Sequence, residues 1–176
     1  MYSSRMIDPS GTSVTIEPTR RVRGQLRVPG DKSISHRYVL LAAVADGTST
    51  VHNYAPGTDC AATLRCLQAL GVNIQIVQSS PNEPSTIMVV GRGRQGLRAS
   101  SSVVDAQNSG STIRLLAGIL AAHPFKTVIT GDASLRRRPM GRIVEPLQQM
   151  GAQIDTVDGC PPMTISGTTL RGVSYA

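Results

Sequence analysis

Aromatic residues are scarce in this sequence of 176 residues, which contains four tyrosines, one phenylalanine and no tryptophan. A core must therefore be built from aliphatic side chains, and the apolar share of 40% is large enough to supply them. The same scarcity removes the stacking platforms on which single-stranded nucleic acids bind. No apolar run approaches the roughly 18 residues that span a bilayer, so the sequence predicts no contact with a membrane.

Paired cysteines and a secretion signal are also missing. Cys60, Cys66 and Cys160 are odd in number and have no Cys-x-x-Cys spacing. No apolar stretch near the first residues resembles a signal peptide. We therefore expect reduced thiols and a cytoplasmic location. The three histidines show no ligand spacing with these cysteines, so the sequence predicts no metal site.

Lysine is almost absent as well. Lys32 and Lys126 are the only two among 18 basic residues, so the net charge of +7 is carried by arginine. A guanidinium group matches the paired oxygens of phosphate and carboxylate, which favours anionic ligands. A basic protein that binds nucleic acid is the rival interpretation.

The stretch "VPGDKSISHR", residues 28–37, places cations where a helix is predicted to begin. Lys32 and Arg37 would stand near an end that is already positive because its N–H groups lack partners. An anion bound there would explain the arrangement, since N–H groups, hydroxyls and cations would converge on its oxygens. His36 is a further candidate to line this site. The alternative is a solvated turn in which a serine caps the helix.

The pattern of strands and helices occurs twice along the chain. "LQALGVNI" (67–74) aligns with "LQQMGAQI" (147–154), and Arg37 aligns with Arg114. This indicates a duplicated βαβαββ unit rather than two unrelated α/β stretches. The first predicted unit comprises a strand at 24–30, a helix at Ser33–Asp46, a strand at 48–54, a helix at Asp59–Leu70, and strands at 72–77 and 85–91 joined by the loop Pro81–Pro84. The second comprises a strand at 101–106, a helix at Ser111–Ala122, a strand at 126–131, a helix at Met140–Met150, and strands at 152–157 and 162–167.

Apolar periodicity predicts which helix faces pack against the core. On the first helix Ile34, Tyr38, Leu41 and Ala45 share one face. Corresponding apolar faces on the other three helices are Cys60, Leu64 and Leu67; Ile113, Leu116, Ala117 and Leu120; and Ile143, Leu147 and Met150.

The second unit carries matching polar motifs. "QNSGST" (107–112) is rich in hydroxyls and contains a glycine, which allows a ligand to approach the backbone closely. "GDASLRRRPM" (131–140) places three arginines ahead of another predicted helix. By itself the arginine run would be an ordinary solvated loop. "GRGRQG" (91–96) fits the dinucleotide fingerprint but lacks the helix that must follow, so we interpret it as a connector.

Three long motifs resemble the N-terminal portion of the enolpyruvyl-shikimate-phosphate synthase family: "VPGDKSISHR", "NSGSTIRLLAGIL" and "GDASLRRRPMGRIVEPLQQMGAQID". The motifs lie between residues 28 and 155, and the resemblance extends over most of residues 24–167. The UDP-N-acetylglucosamine enolpyruvyl transferases share the fold but typically have Lys-Asn where this chain has Lys32-Ser33. They are therefore the weaker match.

The resemblance implies the enolpyruvyl transferase fold, an α/β inside-out barrel of repeated βαβαββ units, here with two units of an incomplete domain. The units would occupy residues 23–95 and 96–176, and residues 1–22 would pack on an absent second domain. Members of the family are more than twice as long as this chain. We therefore expect a fragment that is inactive without the remainder of the enzyme.

The implied activity is transfer of the enolpyruvyl group of phosphoenolpyruvate to the 5-hydroxyl of shikimate 3-phosphate, with release of phosphate. The family uses no metal or organic cofactor. The partners would be these two small anions and the rest of the enzyme chain, with no nucleic acid and no membrane. An α/β module that binds phosphorylated metabolites without turnover is the alternative.

Site residues follow from the resemblance motif by motif. In the first unit Lys32 would contact phosphoenolpyruvate and assist proton transfer, which makes it a catalytic candidate. Ser33 and Arg37 would hold shikimate 3-phosphate.

In the second unit Asn108 and Gly110 would border the phosphoenolpyruvate pocket. Arg138, the last of the arginine run, would bind the phosphate or carboxylate of that substrate and is the second catalytic candidate.

Overall fold

The computed structural model describes residue 18, residues 20–77 and residues 85–175. The described part contains four α-helices and seven strands. The helices are α1 (Lys32–Val44), α2 (Thr58–Ala69), α3 (Gly110–Ala121) and α4 (Gly141–Gln149). The strands are β1 (Thr48–Tyr54), β2 (Asn73–Val77), β3 (Ser85–Val90), β4 (Val104–Asp105), β5 (Lys126–Thr130), β6 (Gln153–Val157) and β7 (Cys160–Ser166). Most of the predicted N-terminal segment 1–22 and the predicted loop Pro81–Pro84 lie outside the described residues.

Two small sheets carry the strands. The first has the order β1-β3-β2 and is antiparallel throughout, and the second has the order β4-β5-β7-β6. In the second sheet β4 runs parallel to β5, and the other pairs are antiparallel. The order helix, strand, helix, strand, strand thus occurs in both halves of the chain.

Equivalent main-chain contacts close the two halves. Past β3, the N–H of Arg92 donates to the carbonyl of Ala43 near the end of α1, at 2.9 Å. Past β7, the N–H of Thr168 donates to Ala121 at the end of α3, also at 2.9 Å. Because these contacts involve the backbone, they join corresponding elements without requiring the same side chains.

Helix boundaries follow the capping residues. Asp31 caps α1 by accepting from the N–H of Ile34 at 2.7 Å, and Ser109 caps α3 by accepting from the N–H of Thr112 at 3.1 Å. The serine cap considered for the first helix is therefore wrong, since Ser33 lies inside it. Gly71 and Gly151 have φ of +86° and +107° just after α2 and α4, as expected of a glycine that ends a helix.

The interior is aliphatic, and three helices meet in it. The predicted apolar faces of α2 and α3 are buried, whereas Ile143, Leu147 and Met150 of α4 are only partly buried. Among the tyrosines and the phenylalanine of the described part, only Tyr54 is buried, and its hydroxyl donates to the carbonyl of Cys60 at 2.9 Å. The largest fully buried apolar side chains are those of Leu67, Leu70, Ile87, Ile113, Leu116, Leu120, Ile129, Leu135, Met140, Met163 and Ile165.

The predicted apolar face of α1 is wrong. Ile34, Tyr38 and Leu41 are 55%, 59% and 67% exposed, while the buried face includes Val39 and Leu40. The helix is pressed against α2, α3 and the first sheet through that second face. Ile34 and Tyr38 instead border an open depression of ≈ 380 Å³ beside β1. Periodicity revealed an apolar stripe but not which neighbours the helix would meet.

The strand predicted at 24–30 is also absent, and the one at 101–106 is reduced to β4. Leu26 and Val28 are 82% and 62% exposed. A strand requires a neighbour that accepts and donates its backbone hydrogen bonds. Within the described residues no strand pairs with 24–30, so its apolar alternation has no sheet to join. Residues 91–103 contain no helix, in keeping with a connector at "GRGRQG".

Candidate anion-binding site

The first turns of α1 carry three of the predicted site residues. Lys32 is the first residue of the helix and Ser33 the second, while Arg37 follows one turn later and donates through Nη1 to the carbonyl of Ser33 at 3.0 Å. Lys32 forms an ion pair with Asp59, in the first turn of α2. This carboxylate offsets a charge that opposes the dipole of α1. The Lys32 side chain is 57% exposed and remains accessible.

Asn108 and Gly110 lie at the N-terminus of α3, and the side chain of Arg138 reaches them from the loop before α4. The side-chain oxygen of Asn108 accepts from Nη2 of Arg138 at 2.5 Å. Gly110 lies against the same guanidinium group: a Cβ built on it would stand 3.2 Å from Nη1 of Arg138 and 2.6 Å from Nη1 of Arg114. Glycine at this position therefore leaves the space that the two arginines occupy. Arg114 also donates through Nη2 to the carbonyl of Pro139 at 3.3 Å.

Asp132 holds this second cluster in place. Its carboxylate accepts from the side-chain amide of Asn108 at 2.8 Å and from the N–H of Leu135 at 2.8 Å. The hydrogen bond from Leu135, followed by those from Asn108 and Ser134 and the charge of Arg138, lowers the pKa of Asp132. Asp132 is therefore ionised at neutral pH. It fixes the short 3₁₀ turn (Leu135–Arg137) that delivers Arg138.

An open depression of ≈ 460 Å³ lies beside these groups. Asp59 and Asn108 both line it, and these residues contact Lys32 and Arg138 respectively. The main-chain oxygen of Asp59 also lies 3.4 Å from the hydroxyl oxygen of Thr112 in α3. The first turn of α2 therefore touches the N-terminal turns of both α1 and α3.

The structure thus joins Asn108, Gly110 and Arg138 directly, and connects them to the Lys32 end of α1 through Asp59. The three carboxylates that line the depression, Asp59, Asp105 and Asp132, are all engaged by neighbouring groups. No cationic side chain is among the lining residues; Lys32 and Arg138 stand next to the depression through their contacts with Asp59 and Asn108.

His36 does not line the depression, contrary to the sequence-based expectation. It is fully buried, and its Nδ1 lies 2.7 Å from the hydroxyl of Thr63 in α2. Burial, followed by the charge of Lys32, lowers the pKa of this imidazole, so it is neutral at physiological pH. The helical spacing of α1 does not reveal this, because the buried face could not be identified from the sequence.

Sequence reasoning did not single out Asp59 or Asp132. Each follows a recognisable local signal, since Asp59 stands in a first helical turn and Asp132 stands three residues before the N–H that it caps. These signals indicate capping, but they do not reveal the contacts with Lys32 and Asn108. Among the described residues no group of three histidine, cysteine or acidic side chains could hold a metal ion, and no helix is long and apolar enough to cross a bilayer.

The fold and the site together define an α/β protein of two similar units whose helix N-termini, arginines and one exposed lysine form a surface suited to small anions. Comparison with known proteins gives the family. The chain belongs to the EPSP synthase (3-phosphoshikimate 1-carboxyvinyltransferase) family, whose model matches residues 16–176.

Curated relatives and a solved structure agree with this assignment. The chain is 48% identical over 163 residues to the 3-phosphoshikimate 1-carboxyvinyltransferase of Herpetosiphon aurantiacus, covering 92% of this chain and 36% of that protein. It is 50% identical over 165 residues to the enzyme of the same name from Desulforudis audaxviator, covering 93% and 37%. EPSP synthase from Acinetobacter baumannii superposes with a TM-score of 0.79 and 44% identity, covering 86% of this chain and 34% of that structure. The chain therefore spans about a third of the length of the relatives it matches.

Proposed function

We propose that this chain supplies the anion-binding part of an enzyme that transfers the enolpyruvyl group of phosphoenolpyruvate to the 5-hydroxyl of shikimate 3-phosphate and releases phosphate. The supporting observation is the cluster in which Arg138, Asn108 and Gly110 meet at the N-terminus of α3, within a chain that belongs to the EPSP synthase family. The partners in this proposal are the two substrates and the other two thirds of the enzyme. The reaction would take place in the cytoplasm.

Roles on α1 follow from the charges at its N-terminus. Lys32 contacts phosphoenolpyruvate and assists proton transfer once that anion displaces the carboxylate of Asp59. Ser33 and Arg37 hold shikimate 3-phosphate, since a hydroxyl and a guanidinium group form charge-assisted hydrogen bonds with phosphate oxygens.

Roles on α3 follow from the contacts around Asn108. Asn108 and Gly110 form the wall of the phosphoenolpyruvate pocket, and Arg138 binds the phosphate or carboxylate of this substrate. Arg138 is pre-oriented by Asn108 and Asp132, so less of its side-chain entropy is lost when a ligand binds.

The activity can be tested with a longer enzyme. Residues 1–176 would be joined to the C-terminal two thirds of the Herpetosiphon aurantiacus relative, and phosphate release measured with both substrates. We expect release that depends on shikimate 3-phosphate, and none from the 176-residue chain alone. The intact relative is the positive control. A folded fusion without turnover would contradict the proposal.

Binding can be tested on the chain itself. Amide signals of Lys32–Arg37 and Asn108–Gly110 would be followed by NMR during titration with shikimate 3-phosphate, phosphoenolpyruvate and inorganic phosphate. We expect weak binding of shikimate 3-phosphate, with a Kd of about 1 mM, or about −4 kcal/mol. Equal shifts with inorganic phosphate would identify a general anion site instead of a substrate site.

A further inference from the structure

A line of buried polar side chains crosses the interior beneath the two helix N-termini. It runs from His36 in α1 through Thr63 in α2 and Thr112 in α3 to Ser109, the cap of α3, and all four residues are 0% exposed. Three contacts of 2.7 Å connect them in that order. Polar groups in an aliphatic core are costly unless they are hydrogen-bonded, so this line needs a definite arrangement of protons.

Which group donates and which accepts in each of these contacts follows from the number of protons available. The geometry makes the Thr112 hydroxyl the donor to the oxygen of Ser109. Each hydroxyl has one proton to donate. Thr63 must therefore donate to Thr112, and the remaining contact requires His36 to donate to Thr63.

The protonation of His36 then follows. Its Nδ1 carries the hydrogen, and its Nε2 is a bare lone pair that has no hydrogen-bond partner in the described part of the chain. A neutral ring agrees with the lowered pKa of this buried group. The hydroxyls of Thr63 and Thr112 could also donate to the main-chain oxygen of Asp59, but those distances are 3.5 and 3.4 Å and the contacts are correspondingly weaker.

We infer that His36 is a positioning residue: its Nδ1–H begins a one-directional hydrogen-bond chain that fixes the N-terminus of α3 relative to that of α1. The chain ends at Ser109, which stands between Asn108 and Gly110, and it begins four residues after Lys32. It therefore sets the spacing between the two groups of candidate ligand-binding residues. The ligand-binding part of this inference rests on the proposed function, whereas the hydrogen-bond chain itself does not.

The first test uses the unaltered 176-residue chain. With ¹⁵N-labelled histidine, the NMR chemical shift of each ring nitrogen shows whether that nitrogen carries a hydrogen or a lone pair. We expect His36 to carry its hydrogen on Nδ1 at neutral pH. A hydrogen on Nε2 would reverse every contact in the line and would overturn the inference, whatever any variant does.

The second test removes one hydroxyl. In Thr63→Val the amide signals of Asn108–Gly110 should move and the affinity for shikimate 3-phosphate should fall roughly tenfold, because the chain is cut in its middle. Thr63→Ser keeps the hydroxyl and should restore both. Thr127→Val is the matched control, since Thr127 is a buried threonine whose hydroxyl has no hydrogen-bond partner among the residues that the structure describes. It should leave both readouts unchanged.

The possible outcomes separate this inference from the proposed function. If His36 has the expected tautomer and Thr63→Val moves the α3 amides, but no substrate binds, the hydrogen-bond chain is supported and the proposed function is contradicted. If substrate binds while Thr63→Val leaves the amides and affinity unchanged, the positioning role is wrong. If Thr63→Val does not fold, the tautomer of His36 still shows in which direction the hydrogen bonds run. Thr63→Ser must then bind shikimate 3-phosphate with wild-type affinity, and a loss of affinity in this variant would contradict the positioning role.

Discussion

Thr63 and Thr127 are both buried threonines, but they differ in what their hydroxyls contact. Thr63 lies within hydrogen-bond distance of two side chains, whereas the hydroxyl of Thr127 has no hydrogen-bond partner in the described part of the chain. A buried hydroxyl without a partner costs about 1–3 kcal/mol in proteins. We therefore expect Thr127→Val to raise the free energy of unfolding by about 1 kcal/mol, and Thr63→Val to lower it by about 1–3 kcal/mol. Urea denaturation measures both changes, and a loss of stability in Thr127→Val would show that the Thr127 hydroxyl does have a hydrogen-bond partner.

Arg138 and Arg137 offer a second contrast between residues. Arg138 contacts Asn108 and is half-buried, whereas Arg137 carries the same charge in an exposed position. In the fusion enzyme, Arg138→Ala should raise the KM for phosphoenolpyruvate about 10- to 150-fold. This corresponds to about 1.5–3 kcal/mol for a hydrogen bond to a charged group. Arg137→Ala should change KM only a few-fold. Equal effects of the two variants would show that Arg138 does not bind phosphoenolpyruvate.

Site residues could be predicted from the sequence where they belong to one contiguous motif. They could not be predicted where the contact joins residues that are distant in the sequence. Lys32, Ser33 and Arg37 stand within one helix, so their proximity follows from helical spacing. The pairing of Lys32 with Asp59, and that of His36 with Thr63, bring together residues 27 positions apart. Nothing local distinguishes these partners from other polar residues of α2.

At the scale of the elements, replacing glycine by alanine should have opposite effects on stability in the loop before α1 and in the middle of α3. A Cβ on Gly30 would lie 1.7 Å from the carbonyl oxygen of Asn53, a backbone atom that cannot easily move. A Cβ on Gly118 would meet nothing within 4 Å. Gly30→Ala should therefore destabilise the chain by about 1–3 kcal/mol or more. Gly118→Ala should stabilise it by about 0.5–1 kcal/mol through helix propensity.

Thermal unfolding followed by circular dichroism measures both changes, and each variant serves as the control for the other. A stable Gly30→Ala protein would mean that the loop does not approach β1 as closely as the structure has it.

The four helices were predictable because each combines apolar periodicity with a capping signal inside its own segment. The predicted bounds differ from the observed ones by one or two residues at each end. The absence of a strand at 24–30 was not predictable, because a strand depends on a partner elsewhere in the chain. The exposed side of α1 was missed for the same reason, since the neighbours of a helix decide which of its faces is buried.

At the scale of the whole molecule, the buried thiols should make the free energy of unfolding decrease as the pH becomes alkaline. Burial raises the pKa of the Cys66 thiol from 9.0 to about 12. The folded chain therefore keeps a proton that the unfolded chain loses above about pH 9, so stability should fall as pH rises through that range. The slope from this group reaches about 1.4 kcal/mol per pH unit.

Urea denaturation between pH 8 and pH 11, roughly the range bracketing the unfolded thiol pKa, checks this expectation. Cys66→Ala should reduce the slope, while Cys160→Ala, at a partly exposed position, should not. Some slope should persist in Cys66→Ala because burial also raises the pKa of Tyr54 and of Cys60. A slope unaffected by Cys66→Ala would show that the thiol is not shielded from solvent in the folded chain.

The ion pair between Lys32 and Asp59 makes the site resemble an ion exchanger with its own tethered counter-ion. An arriving ligand does not meet a bare ammonium group but competes with a carboxylate that never diffuses away. The Lys32 side chain is 57% exposed and that of Asp59 26% exposed, so water partly screens the pair and a multiply charged anion can displace the carboxylate at little cost in free energy. A weakly bound monovalent anion gains too little to do so. The chain should therefore not bind chloride or acetate at concentrations at which phosphate esters already bind. The site would thus select a ligand by its charge before the rest of that ligand makes any contact.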